Sequence, residues 1–298
     1  MTIKHLCLTG GGPNGLIQYG ALKALNKNHF WELKDIETIY STSFGAIISV
    51  FLLLELDWEI LDDYLIKRPW NKELKLNSEQ LLNYSSEKGF FDKSIIDILF
   101  KSLFSYKNID LDITLIDFFS ITNIELNIIA CDLNSLKEIR FNHIDYPDLI
   151  LLDAVYRSAT LPFFFKPQII ENQCFIDGGM VNNFPINYLI NSNIDKNTIL
   201  GIVNNNNITE TLNAYSVNEN DDIFNFFYKF SKIILSSLLE QNNNSNKNYD
   251  LPYILTLKTE VWTMEFMNKT VENANERENL INNGIEQGNH FYNTVSRN

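Results

Sequence analysis

The stretch Ile39-Tyr40-Ser41-Thr42-Ser43-Phe44-Gly45-Ala46 restricts this chain more than any other. β-Branched and aromatic residues give way to small ones, and an apolar run then continues to Leu56. That order predicts a strand, a tight turn and a buried helix, with Ser43 at the turn. Ser43 in such a bend is a candidate nucleophile, because the turn pushes its hydroxyl out at the carboxyl end of the sheet. The G-x-S-x-G pattern of these elbows is met at Gly45, while Ser41 stands in place of the first glycine. The plain alternative is strand-helix punctuation that carries no chemistry.

A second unit of the same kind precedes it. Residues 4–9 (KHLCLT) form a short apolar run with β character, followed by Gly10-Gly11-Gly12-Pro13-Asn14-Gly15 and by apolar residues at helical spacing over 16–25. Two chemistries use such a loop. Gly10, Gly12 and Gly15 satisfy G-x-G-x-x-G, the dinucleotide-binding pattern, which needs an acid at the end of a second strand about 20 residues on. Asp35 and Glu37 lie at about that distance, but they precede the next strand, and that strand runs into the Ser43 turn. The other chemistry is an oxyanion hole, in which residues without side chains aim backbone N–H groups at one developing negative charge. A glycine loop after one strand and a serine elbow after the next suits a hydrolase better than a cofactor site. Pro13 has no N–H and donates nothing.

Periodicity over the rest of the chain predicts helices over 57–67, 78–84, 93–105 with Asp92 as cap, 114–119, 148–160, 185–190 with Asn183 as cap, and 222–240, and a terminal helix that includes 284–290. Strands are predicted at 125–132 with a hairpin partner at 138–142, at 168–170 with 173–176, at 198–203 and at 252–257. The arm 173–176 runs into Asp177-Gly178-Gly179, which puts an acid at a strand end in a glycine turn. Phe163-Phe164-Phe165, after Pro162, is an apolar patch that serves as core packing or as a wall for acyl chains. With 298 residues, 45% of them hydrophobic, and no internal repeat, the chain reads as one α/β domain over 1–210 with a helical carboxyl-terminal extension over 211–298 packed on it.

Composition excludes several classes. A formal net charge of −13 argues against nucleic-acid binding, which needs clustered Lys and Arg, and against simple electrostatic docking on anionic membranes. Cys7, Cys131 and Cys174 have neither metal-ligand spacing nor a disulfide framework and read as buried thiols. No cofactor or metal is expected. None of His5, His29, His143 and His290 sits in a glycine turn, so a Ser-His-Asp triad is disfavoured. Asp132, Asp145 and Asp153 rival Asp177, Asp132 most seriously because it ends a strand, but its turn lacks the Gly-Gly pair. No signal-peptide core fits the amino terminus, and the longest apolar run, 46–54, is far short of the ~20 residues of a membrane span, so an intracellular protein, soluble or bound peripherally to membrane, is expected. Abundant Asn, Ile, Lys, Phe and Tyr look like the imprint of an A/T-rich coding sequence, and most asparagines are therefore discounted as functional signals.

Glycine loop, serine elbow and acid in a glycine turn, in that order, resemble the patatin-like phospholipase family. The matching stretches are Gly10-Gly11-Gly12-Pro13-Asn14-Gly15, Ser41-Thr42-Ser43-Phe44-Gly45, the run from Arg157 to Pro167 (RSATLPFFFKP), and Phe175-Ile176-Asp177-Gly178-Gly179. The resemblance spans about residues 4–205. It implies a mainly parallel central sheet flanked by helices, a three-layer α/β sandwich. It also implies hydrolysis of phospholipid or other acyl-lipid esters by a Ser-Asp dyad, with transient contact with the membrane surface. It carries Ser43 over as nucleophile, Asp177 as general base, and the loop of Gly10, Gly11, Gly12 and Gly15 as oxyanion hole, Gly11 and Gly12 foremost. Two departures stand out: Asn14 occupies a position where the family usually has Arg or Lys, and Ser41 replaces a glycine. A protein on the same fold that binds lipid without turning it over is the alternative.

Overall fold

The computed structural model describes residues 2–74, 78–205, 213–221 and 250–297, together with 223, 226, 227, 229–231, 233 and 234. The chain runs β1 (His5–Leu8), α1 (Gly15–Lys27), β2 (Thr38–Thr42), α2 (Phe44–Leu53), α3 (Trp58–Lys67), α4 (Trp70–Glu73), α5 (Ser78–Glu87), α6 (Ser94–Lys107) and α7 (Leu115–Thr122). It continues β3 (Glu125–Asp132), β4 (Lys137–Phe141), α8 (Leu151–Ala159), β5 (Gln168–Ile170), β6 (Gln173–Asp177), α9 (Asn187–Ile190), β7 (Ile199–Asn204), β8 (Ile254–Leu257), α10 (Met264–Glu272) and α11 (Ala274–Val295).

These strands form one sheet in the order β5-β6-β3-β2-β1-β7-β8, with β4 paired to β3 off that path. The run from β3 to β8 is parallel, whereas β4, β6 and β5 are antiparallel. The sheet is therefore mixed, with a parallel core, and helices flank it. All four residues of β1 are buried, as a parallel strand covered on both faces requires. Leu6, Leu8 and Ile39 face the large core with Ile17, Leu22, Ile48 and Phe51. Cys7, Tyr40 and Ile199 point the other way, against Phe184, Ile186 and Leu189.

Two local readings change and a third is not reached by the described residues. The helix expected over 148–160 begins only at Leu151, because the chain before it is tied in extended form to 113–115: Leu115 N–H donates to Leu149 O, and Leu151 N–H to Ile113 O, both at 2.9 Å. Asn183 does not cap a helix, since α9 starts at Asn187 and the Asn183 side chain is engaged with Thr9 and Gly10. The helix expected over 222–240 lies mostly outside the described residues. Among the described residues no helix is long and apolar enough to cross a membrane.

The carboxyl-terminal segments are built into the same body. β8 extends the sheet by pairing with β7, and α11 lies along α1 with backbones nearly touching. A Cβ on Gly284 would come within 1.9 Å of Ile17 O, and one on Gly20 within 2.0 Å of Ile281 O. The buried Arg277 guanidinium donates to carbonyls of Leu65, Ile66 and Arg68 at the end of α3 and of Thr270 and Val271 at the end of α10, where helix carbonyls lack intrahelical partners. Within the sheet, Ser41 on β2 is fully buried, and its hydroxyl has no partner among the described residues.

Two outcomes follow for thermal denaturation. Gly284→Val forces α11 off α1 and lowers stability by about 2–3 kcal/mol, which corresponds to a fall in Tm of roughly 5 °C or more. Ser41→Ala removes an unpaired buried hydroxyl and raises stability by about 1 kcal/mol.

Candidate active site

Ser43 directly follows β2 and is the residue from which α2 starts, with φ 54° and ψ −125°. A serine on the left-handed side of the φ range is uncommon, and holding it there costs on the order of 1–3 kcal/mol. Three contacts hold the bend. Ser43 N–H donates to Ser158 Oγ at 2.8 Å, and that hydroxyl in turn donates to Ile129 O on β3. Thr42 Oγ1 donates to Asn182 O at 2.9 Å. Gly45 lets α2 sit against β1: a Cβ there would lie 2.7 Å from both Leu8 O and Thr9 O.

Ser43 Oγ donates to Asp177 Oδ2 at 2.6 Å across 134 residues of sequence. Asp177 ends β6, where it sits opposite Ala130 of β3. Its N–H donates to Thr160 O at 2.8 Å, and its Oδ1 accepts from Gly179 N–H at 2.7 Å, so the carboxylate is oriented from both sides. Gly178 brings the turn onto β3, since a Cβ there would meet Ile129 O at 2.2 Å. Both side chains are almost wholly buried, Ser43 at 9% and Asp177 at 7% exposure. A carboxylate at this distance can take the hydroxyl proton as the oxygen attacks an electrophile.

The glycine loop closes against the serine. A Cβ on Gly10 would lie 2.8 Å from Ser43 Cβ. The loop's four glycines are not equivalent. Gly10 N–H donates to Asn183 O at 3.2 Å, and Gly15 N–H closes a turn onto Gly12 O and Pro13 O. The amides of Gly11 and Gly12 have no acceptor among the described residues. Gly12 has φ +53°, and the Trp262 indole lies over it, 2.3 Å from where a Cβ would be. Gln18 clamps the strand end beneath, accepting from Thr9 N–H at 3.2 Å. α2 starts directly after Ser43, which places the positive end of its dipole beside the same region.

Asn14 is buried and neutral. Its Nδ2 donates to Glu260 O at 2.8 Å and its Oδ1 accepts from Glu260 N–H at 3.2 Å, which straps the segment after β8 to the glycine loop. That segment brings Trp262 against Phe164, with ring centroids 5.3 Å apart, in a cluster with Leu161, Phe163, Tyr215 and Met267. The triple-phenylalanine patch thus adjoins the glycine loop.

The rival groups lie elsewhere. Asp132 is held in a turn by Ser135 Oγ at 2.6 Å and Cys174 N–H at 3.0 Å, and these bonds hold its carboxyl below the usual carboxylate range. Asp145 pairs with Arg140, and Asp153 with Lys93. His5 bonds Thr38 at the start of β2, and His143 stacks on Phe119 beside Glu125, both at the opposite end of the strands from Ser43. Asp35, the acid required by the dinucleotide reading, is at that far end too. Burial, with the Asp132 and Asp177 carboxylates adding to it, pushes the Cys131 thiol up to about 11, so it is protonated at neutral pH and no competing nucleophile. All three cysteines are free and buried. Among the described residues no group of three His, Cys, Asp or Glu side chains could hold a metal ion.

Comparison with known proteins gives the same picture. The family model described as patatin-like phospholipase matches residues 6–190. The chain is 27% identical over 291 residues to the probable lipid hydrolase 463L of Invertebrate iridescent virus 6, covering 95% of this chain and 92% of that one. It is 28% identical over 292 residues to the uncharacterized protein R571 of Acanthamoeba polyphaga mimivirus, covering 89% of this chain and 86% of that one. Among solved structures, VipD from Legionella pneumophila superimposes with a TM-score of 0.55 at 16% identity, over 98% of this chain and 67% of VipD. ExoU of Pseudomonas aeruginosa, in its complex with SpcU, gives 0.53 at 15% identity over 99% of this chain and 52% of the matched chain. With its glycine loop, elbow and Asp-Gly-Gly turn all inside the matched region, the chain belongs to the patatin-like phospholipase family.

Proposed function

We propose that this protein hydrolyses carboxylic esters of phospholipids or other acyl lipids through a Ser43–Asp177 dyad. The observation that carries the reading is the 2.6 Å hydrogen bond from Ser43 Oγ to Asp177 Oδ2, made by a serine held at φ 54°. In the first step Ser43 Oγ attacks the ester carbonyl carbon while its proton passes to Asp177. The Gly11 and Gly12 N–H groups stabilise the tetrahedral oxyanion. The C–O bond to the alcohol then breaks, and the leaving oxygen takes the proton back from Asp177. A water deprotonated by Asp177 attacks the acyl-enzyme, which releases the fatty acid and restores the serine.

The apolar cluster around Phe164 and Trp262, next to the loop, supports an acyl group as the part of the substrate that is bound. Exposed Ile223, Phe226, Phe227 and Phe230 support transient contact with a membrane surface by apolar insertion, which an acidic chain achieves more easily than by charge. In this reading residues 1–210 form the catalytic domain and 211–298 an extension packed on it, and the protein works inside the cell.

The test is turnover of phosphatidylcholine in mixed micelles and of a soluble p-nitrophenyl ester. Ser43→Ala and Asp177→Asn each lower kcat/KM by ~10³-fold or more with Tm little changed. Unaltered hydrolysis in both variants contradicts the dyad. Lipid binding by wild type and both variants alike, without turnover by any, establishes the lipid-binding alternative instead.

A further inference from the structure

We infer that Asn183 and Asn204 are positioning residues for this site, which hold the Gly10–Gly11 peptide so that the Gly11 N–H, and not the Gly10 carbonyl, is presented to the reacting carbonyl oxygen. The inference rests on the hydrolase reading above.

Gly10 O accepts from Asn183 Nδ2 at 3.2 Å and from Asn204 Nδ2 at 3.1 Å, with the Thr9 hydroxyl a third and longer donor at 3.3 Å, so the carbonyl is engaged chiefly by the two side-chain amides. No peptide among the described residues is cis, so the Gly11 N–H leaves this planar unit on the side opposite to those donors. There it meets no acceptor among the described residues. A peptide between two glycines, as Gly10–Gly11 and Gly11–Gly12 both are, has no Cβ on either side to resist rotation and is free to flip unless it is held. A flip would aim a carbonyl at a developing negative charge and turn a stabilising contact into a repulsive one. It would also strand the Asn204 amide, which is buried, without its acceptor. These hydrogen bonds to the carbonyl further polarise the peptide and strengthen its N–H as a donor.

The two asparagines come from different parts of the fold. Asn204 ends β7 and packs so closely that a Cβ on Gly11 would lie 2.2 Å from its Nδ2. Asn183 is wedged between the two functional turns: its backbone O accepts from Gly10 N–H at 3.2 Å, and a Cβ on Gly179 would lie 2.9 Å from its Oδ1. Asn183 therefore sets the glycine loop relative to the turn that carries Asp177, while Asn204 sets it relative to the sheet.

The experiment measures kcat and KM for a soluble p-nitrophenyl ester on wild type, Asn204→Leu and Asn204→His. Asn204→Leu keeps the branched shape of the side chain and removes the donor. Expected are a fall of about 10- to 100-fold in kcat with KM nearly unchanged, since the interaction lost is one made in the transition state, and recovery of most of kcat in Asn204→His, whose Nδ1–H has about the reach of the amide. Wild-type kcat in folded Asn204→Leu overturns the inference. So does a loss of activity that tracks a lowered Tm and is not recovered by Asn204→His. If Asn204→Leu does not fold, Asn204→Ala is read on the same terms. Absence of turnover by wild type itself contradicts the hydrolase reading, an outcome distinct from a wild type that turns over and an Asn204→Leu variant that matches it.

Discussion

The Ser43 hydroxyl reaches the Asp177 carboxylate because both are hung from β3. Thr42 pairs with Ile129, and Asp177 sits opposite Ala130, so consecutive residues of one strand carry the nucleophile side and the acid side of the site. Ser158, on α8, completes the tie by bridging Ser43 N–H and Ile129 O. β3 is also where the sheet changes from parallel to antiparallel. The parallel half ends in βα turns, which supply the glycine loop and the elbow. The antiparallel half brings in a strand from the other direction, whose own carboxyl-terminal turn supplies the acid. A wholly parallel sheet would have to find its acid on a further βα loop.

Local rules of folding are broken next to this hydrogen bond, whereas other positive-φ residues of the sheet, Leu136 and Glu171, lie in hairpin turns. Ser43 is held at positive φ, Ser41 keeps a buried hydroxyl without a partner, and the Gly11 and Gly12 amides are left without acceptors among the described residues. Each costs stability, and the close packing of α1 on α11 with the Arg277 fork on three carbonyls of the α3 end shows where compensating order lies. Such concentration of strain and unmet polar groups is expected where a site must present reactive groups to a ligand.

The elbow, the glycine loop and the Asp-Gly-Gly turn were legible in the sequence because each is a local pattern: a strand, then small residues, then a helix or turn. The residues that hold these turns to one another were not. Ser158 reads in sequence as a residue near a helix end. Asn183 reads as a helix cap, whereas its side chain serves the glycine loop. Asn204 disappears among the many asparagines of a compositionally biased chain, yet it grips Gly10 O, and Asn14, which stands out only as a departure from the family pattern, holds Glu260. All act across long sequence separations, where periodicity carries no information. Asn14 also changes the meaning of a departure from the family pattern. Where a charged side chain is usual, a neutral amide ties the carboxyl-terminal segment and Trp262 over the loop, so residues beyond the matched region 6–190 contribute to the surroundings of the site.

The most direct measurement is the intact mass of wild type and Ser43→Ala after exposure to a long-chain fluorophosphonate, which reacts only with a serine that is activated and faces a formed oxyanion hole. A single adduct on wild type that is absent from Ser43→Ala is the result this account predicts. No adduct on well-folded wild type, or an adduct that survives in Ser43→Ala, would contradict it.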